Sequence, residues 1–364
     1  MNFTINGKFI GQPTTGVQRF AGELVRALDA LLGTDEYAFA RARFQLAVPA
    51  AHLGAVPDLR HIEIIEVPGR AGHLWEQLRL PLAARGTVLL NLAGSAPACK
   101  IGQICTIHDA AVFDRPEAYR RSFVLWYRLL FRLQARLSLR LLTVSEFSRD
   151  RLAAALRIEA LMLCVVPNGI DHILRDAPKL DVLIRLGLEP GSFLLAVGSA
   201  NPTKNFPALV AAFTSLPSSI DLKLVITGGV HDSVFAAERL AANERIVLSG
   251  RVDDAELRAL YEHALALVFP STYEGFGIPP LEAMCCGCPV AASSVPAVVE
   301  TCGDAVLYFD PHSVTDIAAA LEKISSKPHL RDDLIEKGSR RASAYTWRHS
   351  AIQLLAHLEG VGVL

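Results

Sequence analysis

Short apolar runs alternate with longer amphipathic segments along the whole chain, and this rhythm constrains the fold more than any other feature. Runs of about four to eight apolar residues bounded by turn residues read as buried strands, and the amphipathic stretches between them read as helices. Repeated βα units imply parallel sheets with helices on both faces. In the first half, Phe44–Val48, Val88–Leu92, Ile104–Ile107 and Leu141–Val144 read as strands, and Val17–Leu32 and Ser122–Leu139 as helices. In the second half, the strand candidates are Phe193–Val197, Leu222–Thr227, Arg245–Leu248, Ala266–Phe269, Val290–Ala292 and Ala305–Phe309. The turn Pro167-Asn168-Gly169-Ile170-Asp171 separates the two halves. The expected organisation is an α/β protein of two doubly wound, Rossmann-like domains facing each other across a cleft. They span residues 1–170 and 171–345, and a last helical segment, 346–364, packs back on one of them.

A chain of 364 residues has room for two or three such domains. Half of it is hydrophobic, which excludes general disorder. The formal net charge of −1 argues against a general nucleic-acid binder. The charge is unevenly spread. Residues 1–170 carry 20 Lys and Arg against 14 Asp and Glu, a net of +6, and residues 171–364 carry 16 against 23, a net of −7. The first half therefore suits an anionic partner. The N-terminus lacks the features of a signal peptide, and no apolar run approaches the roughly 18 residues of a membrane span, so a cytoplasmic location is expected. There the seven cysteines stay reduced. Cys285, Cys286 and Cys288 read as small residues near a close backbone contact, not as a metal centre.

The most specific segment runs from Ser271 to Ala283, between a strand and a helix. Glu274 and Glu282 stand eight apart, one in the loop and one about a turn into the helix, so they can grip two polyhydroxyl groups of one elongated ligand. Gly275 and Gly277 leave backbone N–H groups accessible, and a helix start after Pro279-Pro280 adds a positive dipole end. Lys204 follows the strand Phe193–Val197 in a loop where an ammonium can neutralise a leaving diphosphate. Gly16 opens the helix near Val17 and can place N–H groups against phosphate. His108 and Asp109 follow the strand Ile104–Ile107, and Gly228 and Val252 follow two strands of the second half. Asp253 stands three residues before Glu256, as in a capping box. No paired-carboxylate DxD loop of the kind that holds a divalent cation on a diphosphate is present.

In order and spacing these segments resemble glycosyltransferase family 4. The likeness rests on the E-x7-E stretch Glu274–Glu282, Thr15-Gly16-Val17-Gln18-Arg19, Thr106-Ile107-His108-Asp109 and Val144-Ser145-Glu146-Phe147-Ser148. Val166–Asp171, Val197-Gly198 with Pro202-Thr203-Lys204-Asn205, and Gly250-Arg251-Val252 extend it over nearly the whole sequence. The resemblance implies a GT-B fold and a retaining hexosyl transfer that needs no metal and no other cofactor. It places Glu274 against the donor sugar, Glu282 on the nucleotide ribose, and Gly275, Phe276, Gly277, Ile278 and Leu281 along the donor. Lys204 and Gly16 fall to the diphosphate, Gly228 and Val252 to the base pocket, and His108 to the reacting sugar. Asp109 either orients His108 or touches the acceptor. The family usually has Arg just before the lysine, where this chain has Thr203, so a second cation has to come from elsewhere or is missing.

The branch most similar to this chain builds bacterial surface polysaccharides, which implies mannose from GDP-mannose as donor, ahead of UDP-sugars. The implied acceptor is a growing glycan or a saccharide on polyprenyl diphosphate. A GT-B epimerase or phosphorylase is the enzymic alternative, and a sugar-nucleotide sensor or assembly subunit the non-enzymic one. Arg128, Arg132, Arg136 and Arg140 recur every four residues on the predicted helix Ser122–Leu139 and its end, beside an apolar face that includes Trp126. This stripe is expected to dock the protein on an anionic inner membrane leaflet.

Overall fold

The structure is a computed structural model and describes residues 2–34, 42–217, 220–229 and 244–359. The chain divides into two compact units. The first comprises the residues up to Gly169 together with the segment from Thr346, and the second is Ile170–Tyr345.

The first unit is built on a seven-stranded sheet. Its strands are β1 (Asn2–Asn6), β2 (Arg43–Pro49), β3 (Glu63–Val67), β4 (Val88–Asn91), β5 (Gln103–Thr106), β6 (Ser138–Thr143) and β7 (Leu163–Val165). They lie in the order β3-β2-β1-β4-β5-β6-β7, and every ladder is parallel. Packed helices bury both faces of such a sheet, which is why β4 and β5 are buried along their whole length. Cys105, Ile107, Phe131, Leu141 and Leu152 form one core cluster, and Ala47, Val67, Trp75, Leu80 and Leu89 form another. The helix Trp347–Leu358 packs on the helix Gly16–Leu32, with Trp347 edge-on to Phe20 at 6.1 Å. Ser350 Oγ donates to the Pro167 carbonyl at 2.6 Å, which fixes the start of that helix to the end of the sheet segment.

The second unit holds β8 (Phe193–Val197), β9 (Lys223–Thr227), β10 (Ile246–Gly250), β11 (Ala266–Phe269), β12 (Val290–Ser293) and β13 (Leu307–Phe309). Their order is β10-β9-β8-β11-β12-β13, again all parallel. One core cluster joins Leu194, Leu224 and Val268 of the sheet to Phe206, Phe213, Ile317 and Leu321 of its helices. The helix Asp254–His263 starts with the expected capping box between Asp253 and Glu256.

Two boundaries differ from the sequence reading. The helix expected over Ser122–Leu139 spans Arg121–Leu137, and Ser138 and Leu139 begin β6. Arg140 therefore lies on a strand and does not continue the arginine stripe of the helix. Among the described residues, no helix is long and apolar enough to cross a membrane.

Candidate active site

In open parallel sheets, ligands bind beyond the carboxyl ends of strands, where the strand order reverses. In the second unit that point lies between β8 and β11. The loop after β8 is a tight turn, Pro202–Lys204, in which Asn201 Oδ1 accepts from the Thr203 N–H and hydroxyl, both at 2.9 Å. The Thr203 carbonyl accepts from the Thr272 N–H at 2.8 Å, which ties this loop to the one after β11. The result brings Lys204 and Glu274 together, with Lys204 Nζ 2.6 Å from Glu274 Oε1. The two side chains keep 19% and 12% of their surface exposed, so the pair is accessible to a ligand. The Lys204 ammonium also lies 5.5 Å from the Phe269 ring centre, a cation–π contact at the end of β11.

Gly228 ends β9 with φ +128°, and a Cβ there would stand 1.9 Å from the Gly198 carbonyl oxygen. Only glycine fits this approach of two strand ends. Arg251 closes one side of it, with Nε 3.6 Å from where a Gly229 side chain would begin. Val252 follows Arg251, partly buried, before the Asp253 cap.

The helix that carries Glu282 spans Ile278–Cys285, with Gly277 as its N-cap at φ +101°. The expected start after Pro279-Pro280 is corrected here: both prolines lie inside the first turn and bring no N–H. The positive end of this helix is therefore carried by the N–H groups of Gly277 and Ile278. Phe276 is buried edge-on to Tyr345 at 5.6 Å, and its carbonyl accepts from the Thr301 hydroxyl at 2.9 Å. Leu281 is fully buried, and its side chain packs in the core. Glu282 is itself buried, and two other elements converge on it. Oε1 is 2.9 Å from His172 Nε2, and Oε2 accepts from the Tyr261 hydroxyl at 3.1 Å. Sequence reading named neither His172 nor Tyr261. The signal available was His172 next to the Pro167–Asp171 turn.

In the first unit the order reverses between β1 and β4. Gly16 starts the helix Gly16–Leu32 there, with Thr15 as its N-cap, whose hydroxyl donates to the Gln18 side-chain carbonyl and caps no backbone N–H. His108 follows β5, edge-on to Phe20 at 5.0 Å, with Nε2 3.0 Å from the Leu92 carbonyl. A carbonyl only accepts, so Nε2 bears the hydrogen. Burial holds the ring's pKa down to about 4 against the opposing pull of that carbonyl, so the ring is neutral at pH 7 and Nδ1 is an acceptor. Asp109 Oδ1 accepts from the Ala111 N–H at 2.8 Å and so caps the next turn.

A second charged pair stands close by. Lys8 follows β1, and its Nζ lies 2.7 Å from Glu76 Oε2 and 3.3 Å from Ser95 Oγ. Asn6 Nδ2 and Ser95 Oγ both donate to Glu76 Oε1, at 3.0 and 2.7 Å. The sequence reading passed over this cluster.

Arg128 does not point to solvent as the stripe required. It donates to the Val112 and Phe113 carbonyls at 2.8 and 3.3 Å and so braces the segment after Asp109. Arg132 and Arg136 are exposed. All seven cysteines are free thiols, and burial pushes Cys288 up to about 12, far from a reactive thiolate. Among the described residues, no group of three or more His, Cys, Asp or Glu is arranged for a metal ion.

Residues 186–341 match the family model for glycosyl transferases group 1, and residues 14–173 match that for Glycosyltransferase Family 4. The O-antigen chain mannosyltransferase B of Escherichia coli is 31% identical over 69% of this chain and 68% of its own length. The O-antigen chain mannosyltransferase RfbU of Salmonella typhimurium is 27% identical over 62% of each. The chain thus spans about two thirds of the length of these curated relatives. Sucrose-phosphate synthase from Thermosynechococcus elongatus superposes with a TM-score of 0.77 over 99% of both chains at 18% identity, which shows the same two-domain GT-B fold. With the two models matching successive parts of the chain and a relative 31% identical over 68% of its own length, the chain belongs to glycosyltransferase family 4 and is a glycosyltransferase.

Proposed function

We propose that the protein transfers mannose from GDP-mannose, with retention and without a metal ion, to a hydroxyl of a growing or lipid-linked bacterial surface glycan. The Lys204–Glu274 pair at the strand reversal of the second unit carries this reading. A donor diphosphate draws Lys204 away from Glu274, and the released carboxylate accepts from the hydroxyls of the donor sugar. Lys204, Arg251 and the N–H groups of Gly277 and Ile278 then face the diphosphate as its charge grows, which favours the transition state over the bound donor. These cationic groups take the place of a divalent cation on the diphosphate. Gly228 and Val252 border the base, Glu282 takes the ribose diol, and Gly275 and Phe276 contribute backbone along the donor. Gly16 opens the first unit's helix Gly16–Leu32, whose N-terminal N–H groups suit a phosphate.

The sugar C1–O bond to the diphosphate breaks as the acceptor oxygen bonds C1 on the same face, and the acceptor proton passes to the departing diphosphate oxygen. His108 Nδ1 accepts from a sugar hydroxyl, and Asp109 stands on the acceptor side. Mannose is favoured because the two relatives described above are named as mannosyltransferases. A panel of labelled GDP- and UDP-sugars, incubated with and without saccharide acceptors, tests the reading. Label transfer only from GDP-mannose supports it. Transfer from a UDP-sugar replaces the donor, and product formed without any acceptor replaces the reaction.

We also propose that the enzyme works in the cytoplasm, held at the inner face of the membrane by the helix Arg121–Leu137. Phe123, Leu125, Trp126 and Leu129 are exposed there beside Arg132 and Arg136. Leu74, Leu78 and Leu82 extend the apolar area, since His73 meets Trp126 edge-on at 6.0 Å. Apolar side chains beside cations suit an anionic lipid surface. Co-sedimentation with anionic liposomes, lost in the double variant Arg132→Ser and Arg136→Ser, is the expected result. Equal sedimentation of the variant overturns it.

A further inference from the structure

Glu282 is an unusual carboxylate to find inside a protein. Its side chain is 5% exposed, His172 is fully buried, and Tyr261 is fully buried as well. Leaving water is costly for a charged carboxylate unless fixed donors replace the lost hydrogen bonds. The replacement comes from one imidazole N–H and one phenol O–H, one on each oxygen. Burial first and the Glu282 charge second raise the Tyr261 pKa well above its usual value, so the phenol stays a donor. A carboxylate has about four acceptor positions, and these two bonds fill half of them. The donors come from different elements: His172 from the turn Asp171–Leu174, and Tyr261 from the helix Asp254–His263. The plane of the carboxylate is thereby set before any ligand arrives.

We infer that His172 and Tyr261 are positioning residues that fix the Glu282 carboxylate so that its remaining acceptor positions meet the vicinal diol of a nucleotide ribose. This rests on the assignment of Glu282 to the ribose. The two residues touch no substrate. Their contribution is orientation, in the way outer-shell partners orient the ligands of a metal. A carboxylate held on both oxygens cannot swing, so a ribose lacking its hydroxyls loses the whole benefit of the site.

The test compares the affinity of the better-binding nucleotide, GDP or UDP, with that of its 2′,3′-dideoxy form, by titration calorimetry on the full chain. The wild type is expected to prefer the intact ribose by about tenfold or more, as hydrogen bonds to a charged acceptor allow. Tyr261→Phe, which removes one oxygen atom, and His172→Phe are each expected to shrink that preference at least about threefold, and His172→Gln to restore most of it. A merely structural role weakens both nucleotides equally and leaves the ratio unchanged. Should His172→Phe fail to fold, Tyr261→Phe and His172→Gln still decide the matter. A preference erased by Glu282→Gln but kept in Tyr261→Phe and His172→Phe overturns the positioning roles alone. A wild-type ratio near one overturns the ribose assignment, and this inference with it.

Discussion

Each unit sets a lysine against a glutamate where its strand order reverses, and the two pairs are held very differently. In the first unit, the Glu76 side chain is 1% exposed and accepts from Lys8, Asn6 and Ser95. In the second, Glu274 is 12% exposed and accepts a bond from Lys204. The same two residue types at corresponding places in two sheets thus do different work. A pair tied on every side is part of the framework, and a pair with one bond can exchange that bond for a ligand. Residue identity and strand-end position are therefore insufficient to mark a binding group, and the number of competing partners decides.

The largest effect that would break this contrast is on stability. Glu76→Ala leaves the Lys8 ammonium unpaired in a buried network, which costs about 3–5 kcal/mol. Urea unfolding should show that loss, whereas Glu274→Ala should unfold within about 1 kcal/mol of the wild type. Equal losses would erase the distinction. Next comes acid. His108 has a folded pKa of about 4 against an ordinary 6.5, so the unfolded chain binds its proton first. The stability it contributes is complete above pH 6.5 and is lost as pH falls from 6.5 towards 4, on the order of 3 kcal/mol. His108→Asn should flatten that part of the stability–pH curve.

Turnover sharpens the contrast from the other side. Lys204→Ala and Glu274→Ala should each lose at least about tenfold in kcat while their melting temperatures hold, as expected for groups aimed at developing charge. Near-wild-type kinetics for both would remove the donor assignment. The smallest effect concerns metals: after exhaustive EDTA treatment, initial rates should stay within about twofold, because cationic side chains are proposed to take the role of a divalent ion. A rate restored only by added Mg²⁺ or Mn²⁺ would contradict that proposal.

The sheets were largely legible because buried parallel strands are apolar throughout, as Phe193–Val197 and Ala266–Phe269 illustrate. Three strands of the first unit were not. β1 hides a buried polar Thr4, whose hydroxyl meets those of Thr87 and Gln45's amide inside the fold. β3 and β7 are edge strands, one carrying exposed charges at Glu63 and Glu66 and the other only three residues long. At the site, Lys204 and Glu274 could be read because glycines and prolines frame them in loops. His172, Tyr261 and Glu76 could not, since their importance lies in partners 110, 21 and 68 residues away. Arg128 misled for the opposite reason. Its place in a four-residue repeat with Arg132 and Arg136 matched a surface stripe, yet two nearby carbonyls captured its guanidinium.

The helix Trp347–Leu358 belongs to the first unit although the whole second unit precedes it in the chain. The second unit is thus spliced into the first. On the ribosome, Ile170–Tyr345 can finish folding as it emerges, whereas the first unit waits for the helix Trp347–Leu358 before its packing is complete. Premature termination near Tyr345 would leave the helix Gly16–Leu32 with a bare apolar flank, and quality control would meet a protein whose older half, not its newer one, is unfinished.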